Sequence, residues 1–166
     1  MLRSTVALLS LLAFCSPTFS DTLILSDNLQ LKYEDPKLIA HTEDTLILKY
    51  QDWSLMHELV NPRTFYPRID LSGVERTFLR SIFYSNERKK LPEWLRILSA
   101  EQAELFGVGT SNVSQKRVGQ AEIVGVLNSQ ESSSHLYIFE ELKIHHLQVN
   151  GDNKKFKAVI ESIEAR

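Results

Sequence analysis

The sequence predicts an α+β protein with a mostly antiparallel sheet flanked by helices. Period-two alternation opens the chain, helical patterns with capping signals fill its middle, and a second group of strands precedes an amphipathic closing helix. Nothing in this order requires the long crossovers that join parallel strands. With 166 residues, 43% of them hydrophobic and 24% charged, the chain has the composition of one ordinary globular domain.

The first twenty residues have the pattern of a cleaved secretory signal peptide. Arg3 supplies the positive end, residues 6–14 form an apolar stretch, and small residues stand at the two positions that a cut after Ser20 requires. The sequence therefore predicts residues 1–20 as a signal peptide and residues 21–166 as a single globular domain. We expect a periplasmic or secreted protein that does not span a membrane after cleavage.

Cysteine content and charge exclude several classes of function for this chain. The only cysteine, Cys15, lies inside the predicted signal peptide, and Phe14 stands where a lipoprotein signal would place a small residue. The mature chain then has no cysteine nucleophile and no disulfide, which a domain of this size does not need. With 19 Lys and Arg against 21 Asp and Glu, the chain lacks the basic excess of a nucleic-acid-binding protein, so no nucleic-acid partner is predicted.

Four short strands are predicted in the first part of the mature chain. Residues 29–33 alternate apolar and polar side chains, and Pro36 ends the strand because proline has no N–H to donate to a neighbouring strand. Residues 38–41, 45–50 and 53–60 continue the pattern. The short connections between these segments favour an antiparallel meander.

The middle of the chain is predicted to be helical. A capping box at residues 72–75 and an apolar face behind it predict a helix over 73–86. Residues 92–98, which begin with a proline, predict a short second helix. A second capping box at residues 99–102 predicts a further short helix that Gly107 ends.

Strands return after a polar loop predicted over residues 108–119. The strands are expected over residues 121–128, 135–139 and about 143–149. The closing helix has apolar residues at positions i, i+3, i+4 and i+7, which is the spacing of a helix that docks on a sheet. These residues are Phe156, Val159, Ile160 and Ile163.

This layout resembles the Mog1/PsbP-like sandwich superfamily. The resemblance covers about residues 29–163 and depends on the order of the elements, the corner at Asp35-Pro36 and the closing helix of residues 156–163. It implies an α/β/α sandwich and a superfamily whose members are mainly accessory or interaction proteins. It includes no catalytic or ligand signature, so no functional residue is transferred.

Familiar catalytic and cofactor motifs are incomplete in this chain. Residues 57–61 begin like the zinc-protease motif H-E-x-x-H, but Asn61 replaces the second histidine and Pro62 follows it. The pair Gly107 and Gly109 lacks the third glycine of a dinucleotide-binding loop and follows a predicted helix. We therefore predict no catalytic residue, no cofactor and no metal site.

Histidines are the one residue type that could form a functional cluster. His135, His145 and His146 lie on the late hairpin, and His41 and His57 lie in the early strands. Imidazole binds metals and titrates near neutral pH, but neighbouring residues of a strand face opposite sides of the sheet. His145 and His146 therefore cannot bind one ion from a regular strand, and we interpret the histidines as surface or half-buried residues.

Acidic pairs and aromatic residues complete the candidates. The pair Glu140-Glu141 is interpreted as solvated charge near a strand end, and Trp53 and Trp94 as core residues. Phe65 and Tyr66 form an aromatic pair in a loop, where binding residues are often found. The candidate interaction residues are Phe65, Tyr66, His135 and His145.

The sequence thus predicts an exported, non-enzymatic binding or accessory protein of the bacterial cell envelope. Its partner is expected to be a protein or another envelope component. Two alternatives stay open at this point: a metal-dependent or histidine-assisted hydrolase, and a small-ligand carrier that would need an apolar cavity.

Overall fold

A computed structural model describes residues 20–61, 66–109, 111–128 and 132–166, with the side chain of Ser20 left out. The predicted signal peptide lies outside these residues, apart from Ser20. The described part of the chain forms ten strands and four helices. In chain order they are β1 Ser20–Ile24, β2 Leu29–Glu34, β3 Leu38–His41, β4 Thr45–Lys49, β5 Ser54–Leu59, α1 Glu75–Phe83, α2 Ser85–Arg88, α3 Glu93–Leu105, β6 Val113–Val118, β7 Ala121–Val126, β8 Ser133–Phe139, β9 Ile144–Asn150, α4 Asn153–Ser162 and β10 Ile163–Ala165.

Two antiparallel sheets organise the fold. The large sheet has seven strands in the order β3-β4-β5-β9-β8-β7-β6, and the small sheet has the order β1-β2-β10. Every strand pair is antiparallel. The predicted α+β class, with an antiparallel sheet flanked by helices, is confirmed.

Over β7, β8 and β9, the large sheet is buried on both of its faces. We call one the α4 face, because α4 and the small sheet pack on it, and the other the α1–α3 face. The α4 face contributes Ile123, Leu136, Ile138, Leu147 and Val149, which pack with Phe156 and Val159 of α4 and Leu31 of β2. The α1–α3 face contributes Val124, Val126, Tyr137 and Phe139, which pack with Phe78 and Ile82 of α1 and Leu95 of α3. Alternate residues of β7, β8 and β9 thus serve two separate cores.

The two predicted capping boxes do not form. Helix α1 begins after Val74, without a side-chain cap, and the backbone N–H of Ser72 bonds the carboxylate of Asp70 instead. Ser99 lies fully buried inside the continuous helix α3, where its hydroxyl accepts a hydrogen bond of 2.7 Å from Ser81. Ser99 thus bonds a residue of another helix and does not cap its own. The prediction of two short helices that meet at Ser99 is wrong, because α3 is continuous there.

The predicted helix end at Gly107 is confirmed. Gly107 has a φ of +66°, a conformation that glycine adopts without a Cβ clash. Its N–H bonds the carbonyl of Glu104, and the N–H of Val108 bonds that of Ala103. These two bonds satisfy carbonyls that the end of α3 would otherwise leave free.

Three strands were not expected from the sequence. Strand β6 lies in the segment predicted as a loop, because its six residues VSQKRV form a mostly exposed sheet edge and so carry no apolar alternation. Strand β1 precedes the first predicted strand, and β10 follows α4 directly. Ile163, assigned to the closing helix by its spacing, is buried in β10 instead.

The tryptophans differ in their surroundings. Trp53 is half-buried and stacks on Tyr50, with ring centroids 4.0 Å apart. Trp94 is 52% exposed, because its neighbour Leu95 faces the core. The interpretation of Trp94 as a core residue is therefore wrong.

Candidate functional site

His145 and His146 occupy the central strand β9 and face opposite sides of the large sheet, as strand parity predicts. His145 shares the α4 face with Leu147, and His146 shares the α1–α3 face with Ile144. Both are buried, with 0% and 5% of their surface exposed. Each imidazole therefore needs hydrogen-bond partners within the protein.

On the α4 face, His145 is the middle of a chain of polar side chains that we call the α4-face chain. Its Nδ1 lies 3.0 Å from Nε2 of His57, and its Nε2 lies 2.9 Å from Oε2 of Glu140. The hydroxyl of Ser26 donates to the other oxygen of Glu140 over 2.8 Å. The chain thus links strands β5 and β9, the β8–β9 turn and the β1–β2 turn.

On the α1–α3 face, His146 is the middle of a second chain, the α1–α3-face chain. Its Nε2 lies 3.0 Å from Nδ1 of His135, and its Nδ1 lies 2.8 Å from Oε1 of Glu58. The ring of Tyr137 stacks on His146 with centroids 4.6 Å apart, and Phe106 meets His135 edge-on. This chain links β5, β9 and β8.

The carboxylate end fixes the proton positions in each chain. An ionised carboxylate only accepts hydrogen bonds, so His145 donates from Nε2 and His146 donates from Nδ1. In this tautomer the second nitrogen of each ring accepts, from His57 on one face and from His135 on the other. A carboxylate that accepts a hydrogen bond from an imidazole sets the tautomer of that ring. In both chains, this first imidazole in turn sets the nitrogen from which the second imidazole donates.

Burial keeps the imidazoles of His57, His135 and His145 neutral at neutral pH. The pKa of His57 is lowered to about 4 by burial and by the neighbouring His145. The pKa of His135 is lowered to about 4 by burial and by His146. Burial also lowers the pKa of His145, while the hydrogen bond from His146 lowers the pKa of Glu58.

The geometry of the two chains favours a structural role. Ser26 bonds the carboxylate of Glu140, so its hydroxyl has no imidazole to take its proton as a serine nucleophile requires. Within the described ranges, no group of three or more His, Cys, Asp or Glu side chains is arranged to hold a metal ion. Glu140 is only 11% exposed, so its interpretation as solvated charge is wrong. The chains join strands that are distant in sequence.

The predicted interaction residues lie in different places. Phe65 lies outside the described residues. The hydroxyl of Tyr66 donates to Gln102 of α3 over 3.1 Å, and its ring packs edge-on against Phe78 of α1. His135 is half-buried, and His145 is fully buried, so His145 offers no surface to a partner in this fold.

One exposed feature that sequence reasoning missed is the edge strand β3. All four of its residues are exposed, and Leu38 and Ile39 are exposed by 56% and 55%. The strand pairs with β4 on one side, and no described strand pairs with it on the other. The apolar run from Leu38 to Ala40 was the available signal, since an edge strand with apolar side chains is open to pairing with another chain.

A second feature that sequence reasoning missed is a surface cavity of about 320 Å³. It lies between β2, the β4–β5 connection and α4, and the stacked rings of Tyr50 and Trp53 form part of its wall. Lys155 places its Nζ 5.3 Å from the centre of the Trp53 ring. The two aromatic residues flank a short turn in the sequence, but the contribution of α4 depends on the tertiary fold.

Comparison of the chain with protein-family models, with curated proteins and with solved structures finds no match. The resemblance to the Mog1/PsbP-like sandwich superfamily stays a prediction. Fold and side-chain geometry together define an α+β protein with two buried histidine–carboxylate chains, an exposed apolar edge strand at β3 and a cavity lined by Tyr50 and Trp53. In the described part of the chain, no helix has the length and apolar character needed to cross a membrane.

Proposed function

We propose that the protein is an exported, non-enzymatic binding protein of the bacterial cell envelope that acts through protein–protein contacts at the edge of β3. The exposure of Leu38 and Ile39 on an unpaired strand is the observation that carries this proposal. An exposed sheet edge presents a row of free N–H and C=O groups to a partner strand. Apolar side chains on such a strand add the surface that a partner would bury.

The opposite edge of the same sheet supports this choice of surface. Strand β6 carries Lys116 and Arg117, and charged side chains hinder edge-to-edge pairing. The Nζ of Lys116 also donates to the carbonyls of Ile160 and Ile163, over 2.9 Å each, so β6 is linked to the end of α4. Of the two edges of the large sheet, the β3 edge is the one that combines an apolar strand with a side unpaired within the described residues.

The surface next to β3 fits a partner with alternating apolar residues. Ala40, Ile47 and Met56 lie opposite one another on β3, β4 and β5. Ile47 is 37% exposed and Met56 is half-buried, so the row continues inward from the edge. A partner strand added beside β3 would place every second side chain in line with this row.

Site-specific photo-crosslinking from residue 39, in the full chain expressed with its leader, tests the proposed surface. We expect one envelope protein to crosslink from position 39 and not from the exposed Gln115 of β6, and the purified partner to slow amide exchange at residues 38–41. Ile39→Lys should abolish its binding, whereas Gln115→Lys should leave binding unchanged. Equal effects at the two edges, or protection of residues elsewhere, would contradict the proposal.

The proposed export has its own test. The mature protein should begin at Asp21, so its intact mass should lack residues 1–20 and carry no acyl group. The soluble envelope fraction should contain this species. A purified protein that keeps Met1, or that carries lipid on Cys15, would overturn the proposed localisation.

A further inference from the structure

We propose that the cavity beside Tyr50 and Trp53 binds a free amino acid with an apolar side chain. This site is separate from the β3 edge, so the two proposals stand independently. The cavity volume of about 320 Å³ lies at the lower end of the range of small-molecule sites, which is roughly 300–1,000 Å³. A ligand of small size is therefore expected.

The floor of the cavity is apolar. Leu31, Leu55 and Val159 line it together with the rings of Tyr50 and Trp53, which are parallel within 2°. Flat rings and branched side chains offer contact surface to an aliphatic or aromatic group without hydrogen-bonding demands. This part of the site matches the side chain of the ligand.

The polar lining carries one free charge of each sign. Glu34 and Lys155 both line the cavity, and neither has an ion-pair partner within the described residues. Lys32 also lines the cavity, but its ammonium is paired with Glu164 over 2.8 Å. A ligand with an ammonium and a carboxylate beside one apolar group would satisfy Glu34 and Lys155 together, which describes an α-amino acid.

The hydroxyl of Tyr50 does not face the cavity. Tyr50 is 7% exposed, and its phenol oxygen is buried without a hydrogen-bond partner in the described structure. The ring of Tyr50, and not its oxygen, therefore supplies contact surface to a ligand.

Calorimetric titration of the mature protein with L-phenylalanine tests the proposal. We expect saturable one-site binding, and at least tenfold weaker binding of two relatives that each lack one charge: 3-phenylpropionate, without the ammonium, and phenylalaninamide, without the carboxylate. L-leucine should bind within about tenfold of L-phenylalanine. No saturable binding of either amino acid, or equal binding of 3-phenylpropionate, would overturn the proposal.

Variants assign the binding to this cavity. Lys155→Gln and Glu34→Gln should each weaken L-phenylalanine binding at least tenfold, whereas the exposed neighbours Lys154→Gln and Glu43→Gln should leave it unchanged. Tyr50→Phe should leave binding within about threefold and keep or raise the melting temperature, because it removes a buried hydroxyl without a partner and keeps the ring. Binding that survives both Lys155→Gln and Glu34→Gln would place the ligand elsewhere.

Discussion

The two histidine–carboxylate chains have the same chemical order but different anchors. On the α4 face, Glu140 is 11% exposed and receives a second hydrogen bond from Ser26. On the α1–α3 face, Glu58 is 21% exposed and its strand lies near the open end of the sheet. Water can replace a lost partner at Glu58 more easily than at Glu140. The comparison shows that residue types alone do not set the strength of a buried network.

The largest expected effect is a loss of stability in acid, which both chains share. The imidazoles of His57 and His135 have a pKa of 6.5 in the unfolded chain and of about 4 in the folded protein. Between these two pH values the unfolded chain binds protons at both residues, whereas the folded protein does not. Stability is therefore complete above pH 6.5 and falls as the pH drops toward 4. His57 is expected to account for about 3 kcal/mol over this window, and the more exposed His135 for less, because solvent screens its charge.

Urea unfolding at pH 7.5, 5.5 and 4.0 measures this loss. The variants His57→Gln and His135→Gln should each remove a measurable part of the pH dependence, one for each face of the sheet. Exposed His41→Gln serves as the control and should leave the pH dependence unchanged. If both histidine variants keep the full dependence, the acid sensitivity comes from other groups.

The second prediction separates the two chains. Glu140→Ala leaves the Nε2–H of fully buried His145 without an acceptor and should lower the free energy of unfolding by about 2 kcal/mol or more. Glu58→Ala opens a site that water can reach and should lower it by about 1 kcal/mol or less. Glu140→Gln keeps an acceptor oxygen and should restore most of the loss. Equal losses in chemical denaturation at pH 7.5 would show that the Ser26 anchor adds nothing.

The third and smallest prediction compares two serine hydroxyls. Here the larger loss of stability is expected on the α1–α3 face, whereas the second prediction expects it on the α4 face. Ser99 on the α1–α3 side is fully buried and bonded to Ser81 at 2.7 Å, so Ser99→Ala should cost about 1 kcal/mol. Ser114, next to α4, is exposed, and its bond to Gly125 is 3.4 Å long. Ser114→Ala should change stability by less than about 0.5 kcal/mol. A comparable shift in the melting temperature for both variants would contradict this order.

The sequence predicted the elements in which apolar residues recur with the spacing of a buried face. The strands at 29–33 and 45–50, the later strands and the closing helix all have a buried side, so their apolar spacing follows the structure, whereas the strand at 38–41 is exposed along its whole length. Strand β6 was missed because an edge strand with charged side chains lacks that spacing. Ser99 was misread because a capping box describes local bonds, whereas its partner Ser81 comes from another helix.

The candidate site was predicted only in part. Strand parity correctly placed His145 and His146 on opposite faces, because side-chain alternation follows from the backbone alone. The carboxylate partner of His146 could not be predicted, because Glu58 is 88 residues away and the pairing of β5 with β9 is set by the whole sheet. The histidines were therefore expected to be surface or half-buried residues, whereas His145 and His146 are buried.

The pairing of β5 with β9 also has a consequence for the folding rate. The large sheet consists of two meanders, β3-β4-β5 and β6-β7-β8-β9, in which each strand follows its neighbour in sequence. The meanders meet only at β5 and β9, where the bonds of His57 to His145 and of Glu58 to His146 each join residues 88 positions apart. Closing so long a loop is entropically unfavourable, and contacts of this range slow folding. We expect each meander to form early and the joining of β5 to β9 to set the rate at which the sheet is completed.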